Sequence, residues 1–293
     1  MRSARPLLCA AALAAAACSD EGTRYQPSPV ITARPYTEVV PTGYRPGTPT
    51  PLVVLLHGYS ANGFLQNVYF GLSDLAEART FLYAYPDGTV DSGGFRFWNA
   101  TDACCDYDHT GVDDVAYVTA VIDDMAARYT VDPKRVYLIG HSNGAFMSYR
   151  MACDRAPRIA AIVGLAGATW AEASRCAPTE PVAVLHVHGD ADTDVLYQGG
   201  EWQGVPYPSA VQSVALWAGY DGCSADLTSA GPPRDLESTI PGAETEVAEH
   251  AGCTAGAAVQ LWTIRGGGHI PMLQDDWGAT ILDWLLAHPK RGP

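Results

Sequence analysis

Positive charge is scarce in this chain. Of 293 residues only 18 are Lys or Arg, against 32 Asp or Glu, a formal net charge of −14. An acidic surface repels a phosphate backbone, so nucleic acid is not an expected partner. Charged residues of both signs make up only 17%, and hydrophobic residues 47%, the balance of a globular chain rather than a disordered one. Cysteines never stand as CxxC pairs, which excludes a finger-type zinc site, and no metal is expected. No segment repeats, which excludes solenoids and propellers. The apolar run near the N-terminus is too short for a confident membrane span. What is left fits one large α/β domain or two small ones.

That N-terminal run, "MRSARPLLCAAALAAAACSD", has Arg2 and Arg5, an apolar stretch and then small residues, the layout of an export signal over residues 1–17. Ala15-Ala16-Ala17-Cys18 is similar to a bacterial lipobox. In that reading Cys18 is the lipidated first residue and a means of membrane attachment; the alternative is an ordinary signal cut nearby. Residues 18–34, with Pro27 and Pro29, read as a lipid-anchored or flexible tether, and 35–293 as a single domain. Export gives the remaining cysteines a meaning. Cys9 leaves with the signal, and six are left: Cys104, Cys105, Cys153, Cys176, Cys223 and Cys253. An even number outside the cytoplasm points to disulfides, with about 15 possible pairings.

Along the chain, apolar runs alternate with helical patterns. Strands are predicted over 51–58, 80–88, 134–140, 159–167, 181–189 and 259–268. Helices are predicted over 66–79, 112–130, 144–155, 208–220 and 276–287. The 112–130 segment is the clearest, with Val115, Val118, Val121, Ile122 and Met125 at helical spacing. Continuous apolar strands between helices predict a mostly parallel sheet covered on both faces. Ligands of such sheets sit at the carboxyl ends of the strands. Residues 222–258, rich in Gly, Pro and Ala, read as an irregular insertion.

One such strand end carries Gly140-His141-Ser142-Asn143-Gly144, a G-x-S-x-G between strand and helix. The turn projects a hydroxyl above the sheet at a helix N-terminus, and glycines flank it because side chains there would strike the neighbouring strand and helix. A serine needs a base, and the expected chain order is Ser, acid, His. The loop after strand 181–189 offers Asp190, Asp192 and Asp194. The run Gly266-Gly267-Gly268-His269 after the last strand offers an imidazole on a flexible loop. An oxyanion hole would use the Asn143 N–H and an N–H of Tyr59 or Ser60, preferably Tyr59, in the loop after "LVVLLHG". Trp98, Asn99 and His141 are candidate substrate-cleft residues. His186 and His188, alternating on one strand, are expected to pack near the acid loop, and Trp202, Trp262 and Trp277 to serve packing.

The segments "LVVLLHGYSANG", "YPDGT", "FWNA…CC", "VDDVAYV", "VDPKRVYLIGHSNGAFMSYRMAC", "VLHVHGDADTDVLYQGG", "WAGYDGC" and "RGGGH" together resemble the secreted polyhydroxybutyrate-depolymerase-like and feruloyl-esterase-like α/β-hydrolases, over roughly residues 35–288. The resemblance implies an α/β-hydrolase fold and an exported carboxylic-ester hydrolase needing no cofactor. Its substrate would be microbial polyester, or feruloyl or acetyl esters on plant polysaccharide. It assigns the acid to Asp192 by matching H-G-T-x-D-x-x-V-P-Y to His188–Tyr197, with Asp190 in place of the usual Thr and Leu196 in place of Pro. A peptidase of the same fold and a non-catalytic surface-binding protein are the rival readings. Cys153 and Cys176 sit on a helix and loop expected to be neighbours, and are paired here. Cys223 and Cys253 bracket the insertion and are paired with each other. The adjacent Cys104–Cys105 belongs to the resemblance, which implies a vicinal bridge; the alternative joins one of them to Cys153 or Cys176.

Overall fold

The computed structural model describes residues 25–291. The expected signal over 1–17 and Cys18 lie outside these residues. In chain order the first elements are α1 (Pro29–Ala33), β1 (Thr37–Val39), β2 (Thr50–Leu56), α2 (Gly63–Phe70), α3 (Leu72–Arg79) and β3 (Leu82–Tyr85). A small hairpin of β4 (Thr89–Val90) and β5 (Arg96–Phe97) follows, then α4 (Asp114–Arg128), β6 (Val131–His141), α5 (Asn143–Asp154), β7 (Ala161–Leu165) and β8 (Ala183–Gly189). A second hairpin, β9 (Gly200–Trp202) with β10 (Val205–Tyr207), precedes α6 (Ala210–Tyr220), β11 (Leu227–Ser229), β12 (Thr245–His250), β13 (Val259–Ile264) and α7 (Trp277–Ala287).

The main sheet runs β1-β3-β2-β6-β7-β8-β13-β12-β11. Its six central strands are parallel; β1 at one edge, and β12 and then β11 at the other, each pair antiparallel with the neighbouring strand. Every residue of β2 is buried, as a strand covered on both faces requires. Its side chains divide the core by strand alternation. Leu52, Val54 and Leu56 enter a layer shared with α4, α5 and α6; Val53 and Leu55 enter the opposite layer with α3 and α7. This is the α/β-hydrolase arrangement, and it places the ends of β2, β6, β8 and β13 along one edge.

Three expectations need correction. The helix predicted over 66–79 is two helices. Gly71 adopts a left-handed φ of 65°, its N–H closes on the Asn67 carbonyl, and α3 restarts at Leu72. The insertion over 222–258 is not wholly irregular: β11 and β12 extend the sheet beyond β13, but β11 is three residues with one apolar side chain and β12 has only Val247 and Ala248 among polar neighbours, too little to announce a strand. The tether expected over 18–34 already contains packed structure. Ser28 caps α1, Ile31 is buried, and the Arg34 guanidinium lies 2.7 Å from Asp114 and 3.6 Å above the Tyr117 ring, so the packed body begins ahead of residue 35.

Cysteine sulfurs are joined in three pairs, Cys104 with Cys105, Cys153 with Cys176, and Cys223 with Cys253. The last pair closes a loop beside Asp221, which ends α6 with its side chain fully buried. Its carboxyl accepts the Val182 N–H at 3.2 Å. Burial raises its pKa to about 7, and the Val182 N–H and nearby Lys290 oppose that only in part. The folded protein therefore holds this proton where the unfolded chain, with a pKa of about 4, has released it. Stability on this account falls as pH rises from about 4 through about 7, by up to roughly 4 kcal/mol. Asp221→Asn should melt at a temperature that changes less between pH 5 and pH 8 than the parent's does. Identical pH dependence in the two proteins would contradict this.

Candidate active site

Ser142 stands at the turn from β6 into α5 with φ 53° and ψ −122°, a left-handed conformation costly for a residue with a Cβ. The flanking glycines permit it. A Cβ on Gly140 would overlap the Gly144 carbonyl, and one on Gly144 would overlap the Leu56 carbonyl of β2. The Ser142 N–H is held by the Leu165 carbonyl at 2.8 Å, which fixes the turn against β7.

From this serine a line of hydrogen bonds crosses three strand ends. Ser142 Oγ lies 2.9 Å from His269 Nε2, and His269 Nδ1 lies 2.8 Å from Asp192 Oδ2. The loop after β8 bends so that Asp192 Oδ1 accepts the N–H groups of Asp194 (2.8 Å) and Val195 (3.0 Å). Burial pushes the Asp192 carboxyl up, but the hydrogen bonds from His188 and His269, His269's charge and the Asp194 N–H outweigh it and hold the group well below the usual carboxylate range. The other two acidic candidates are not in this line. Asp190 accepts from Arg265 at 3.0 Å and from the Gly266 N–H at 2.6 Å, pinning the turn that leads to His269; Asp194 lines the cleft.

The cleft beside Ser142 has a volume of about 790 Å³, with walls that include Tyr59, Tyr69, Tyr107, Trp202, Leu65 and Ile270. Among the described residues, neither the Tyr59 nor the Asn143 N–H has a protein acceptor, whereas the Ser60 N–H is taken by the Arg96 carbonyl at 2.9 Å. Asn143 stands at the start of α5, where the helix dipole favours negative charge. His57 steadies the Tyr59 loop by accepting the Gly88 N–H at 2.8 Å, and burial lowers its pKa to about 4. His141 lines the cleft, and its Nε2–H donates to the His269 carbonyl at 2.9 Å. Burial, with His269 beside it, lowers the His141 pKa to about 4, so this ring is a neutral prop for the His269 loop.

Two predicted cleft residues are elsewhere. Trp98 is fully buried against Tyr117, its indole N–H on the His57 carbonyl at 3.0 Å. Its contribution is through the backbone: Asn143 accepts the Trp98 N–H at 2.7 Å and donates to the Trp98 carbonyl at 2.9 Å, which braces the start of α5. Asn99 lines a separate cavity of about 400 Å³, its amide spent on the Val112 carbonyl. Conversely Trp202, expected to serve packing, forms a wall of both cavities, while Trp262 and Trp277 lie in the core. The signal for Trp202 was its setting. Gly199 and Gly204 take positive φ on either side of it, the mark of a projecting hairpin directly after the acid loop. Strand alternation places His188 near the acid loop; its direct contact with Asp192 Oδ2, at 3.1 Å, is visible only in the structure.

Comparison with known proteins agrees with this architecture. Feruloyl esterase B of Piromyces equi is 31% identical over 196 residues, 64% of this chain but 33% of that protein's length. The putative esterase NocK of Nocardia uniformis is 27% identical across 76% of this chain and 67% of its own, and feruloyl esterase D of Neurospora crassa 26% across 83% and 76%. Among solved structures, an acetyl xylan esterase from Aspergillus awamori superposes with a TM-score of 0.57 at 19% identity, covering 85% of this chain and 92% of that one; it speaks for the fold. The family described as Esterase PHB depolymerase matches residues 36–195, more than half of the chain. The chain therefore belongs to the Esterase PHB depolymerase family, a group of carboxylic-ester hydrolases.

Proposed function

We propose that the protein is an exported serine esterase that cleaves carboxylic esters through an acyl-enzyme on Ser142. The observation that carries this reading is the unbroken hydrogen-bonded line Ser142–His269–Asp192 ending at an open cleft. His269 takes the Ser142 proton as Oγ attacks the ester carbonyl, and returns it to the departing alcohol. Asp192 holds the imidazole in its Nδ1–H tautomer and stabilises the imidazolium. The Tyr59 and Asn143 N–H groups receive the oxyanion. Water, activated by the same imidazole, then clears the acyl group.

The aromatic cleft walls suit a flat acyl group, and two relatives carry the name feruloyl esterase. Of the two expected substrate classes, the feruloyl or acetyl esters of plant polysaccharide are therefore favoured over polyester. A hydrolysis panel tests this: methyl ferulate, acetylated xylan, short p-nitrophenyl esters and polyhydroxybutyrate. The expected result is cleavage of p-nitrophenyl acetate and methyl ferulate with slow or no erosion of the polyester. Erosion of polyhydroxybutyrate without attack on methyl ferulate would reverse the substrate assignment.

Export through the 1–17 signal and lipidation at Cys18 complete the proposal, and the three disulfides suit an oxidising compartment. Cys18→Ser should move the enzyme from the membrane fraction to the soluble one with its activity intact. A mature N-terminus elsewhere, without lipid by mass spectrometry, would refute the anchor.

A further inference from the structure

The line of hydrogen bonds does not stop at Asp192. Beneath the acid loop, Asp192 Oδ2 also meets His188 Nε2 at 3.1 Å; His188 Nδ1 lies 3.0 Å from His186 Nε2; and His186 Nδ1 lies 2.7 Å from the Tyr149 hydroxyl. All four residues are almost or fully inaccessible, at 4%, 1%, 0% and 0% exposure. His186 and His188 share one face of β8 by strand alternation, and Tyr149 rises from α5, the helix that Ser142 begins. The arm thus ties the helix behind the serine to the loop that carries the acid.

We propose that Tyr149, His186 and His188 are positioning residues that lock Asp192 in place as an anion and thereby set the proton affinity of His269. For its kinetic consequences this rests on the esterase reading above. Hydrogen-bond accounting assigns the protons. His188 Nε2 faces two acceptors, Asp192 Oδ2 and the Val195 carbonyl at 2.8 Å, so it carries a hydrogen. If His188 is neutral, its Nδ1 accepts from His186 Nε2–H, and His186 Nδ1 accepts from the Tyr149 hydroxyl. Each donor in the arm then has an acceptor. A His188 cation reverses both upper links and leaves the buried Tyr149 O–H with none, a costly orphan. Burial also pushes His186 well below its ordinary value, which disfavours charge in the arm.

The carboxylate consequently accepts four hydrogen bonds: two backbone N–H groups at Oδ1, and His188 and His269 at Oδ2. It can neither rotate nor pick up a proton cheaply. Without His188 the carboxylate becomes more basic, binds the imidazolium form of His269 more strongly and raises the pH at which His269 loses its proton. Of the titratable groups around this pair, His141 and His188 face it and Tyr207 lies near enough to act on Asp192; Asp194 reaches Asp192 only through its backbone N–H, and the Asp190 carboxylate is paired with Arg265.

The test uses the full-length protein in three variants. His188→Leu should lower kcat by about tenfold or more with KM within a few fold, and move the acid limb of the kcat/KM profile up by about half a pH unit. His188→Gln, whose amide N–H can take the place of Nε2–H, should restore most of both. Tyr149→Phe should shift the limb in the same direction by less, since it releases the His186 tautomer at a distance. An unshifted profile in His188→Leu, or no rescue by Gln, would overturn the assignment. Should His188→Leu fail to fold, 15N NMR of the histidines in the parent decides: neutral Nε2–H tautomers for both His186 and His188 at pH 7 are expected, and an Nδ1–H or imidazolium His188 overturns the arm. The NMR readout needs no substrate, so a parent enzyme inert toward esters would sink the esterase reading while the arm is still judged.

Discussion

Ser142→Ala should lower ester turnover by on the order of 10⁵-fold while substrate affinity changes little. The alanine removes the oxygen that bonds to the acyl carbon, yet leaves the cleft walls and the N–H groups of Tyr59 and Asn143 where they were. What activity remains reflects water attacking a substrate held in the oxyanion site. The substitution also leaves the turn intact: Gly140 and Gly144 still give the backbone its room, and the Ser142 N–H bond to Leu165 is main-chain. A kinetic comparison, with circular dichroism to show an unchanged fold, checks it.

Asp192→Asn should cost about 10⁴-fold, almost as much, for a reason visible in its surroundings. Oδ1 faces two backbone N–H donors, which can only donate, whereas the two imidazoles at Oδ2 can change tautomer, so the single oxygen of an asparagine amide belongs at Oδ1. Its NH₂ then points at His269 Nδ1, which must accept rather than donate. The imidazole consequently turns an N–H toward Ser142 and no longer serves as its base. Asp190→Asn loosens only the turn at Arg265 and Gly266, and Asp194→Asn alters only the cleft rim, so each should stay within about tenfold of the parent. A severe Asp194→Asn would mean that the acid has been misassigned.

Much of this site is legible in the chain because its parts are backbone devices. The glycines at 140 and 144 are demanded by clashes with main-chain carbonyls, so they leave a fixed pattern around Ser142. Likewise the parallel sheet follows from runs such as 50–56 that are buried on both faces. Side-chain direction is less legible. Trp98 and Asn99 lie near the site in sequence, but whether they face cleft or core depends on the packing of Tyr117 and Asp114, which come from α4. Trp202 reaches the cleft because a two-stranded hairpin carries it over Phe146, a placement that no periodicity in three-residue strands announces. The antiparallel edge of β11 and β12 is hidden for the same reason: short, partly exposed strands draw their order from the neighbour they pair with. The His186–His188 alternation was plain, whereas the partner that makes it an arm, Tyr149, sits 37 residues earlier on another element.

The most direct test of the central claim is to find the residue that becomes acylated. The folded protein is treated with a fluorophosphonate, digested and mapped by mass spectrometry. The account predicts one adduct per chain, on Ser142, formed slowly or not at all in His269→Ala. A stable adduct on any other residue, or a folded and uninhibited enzyme with Ser142 unlabelled, would contradict it.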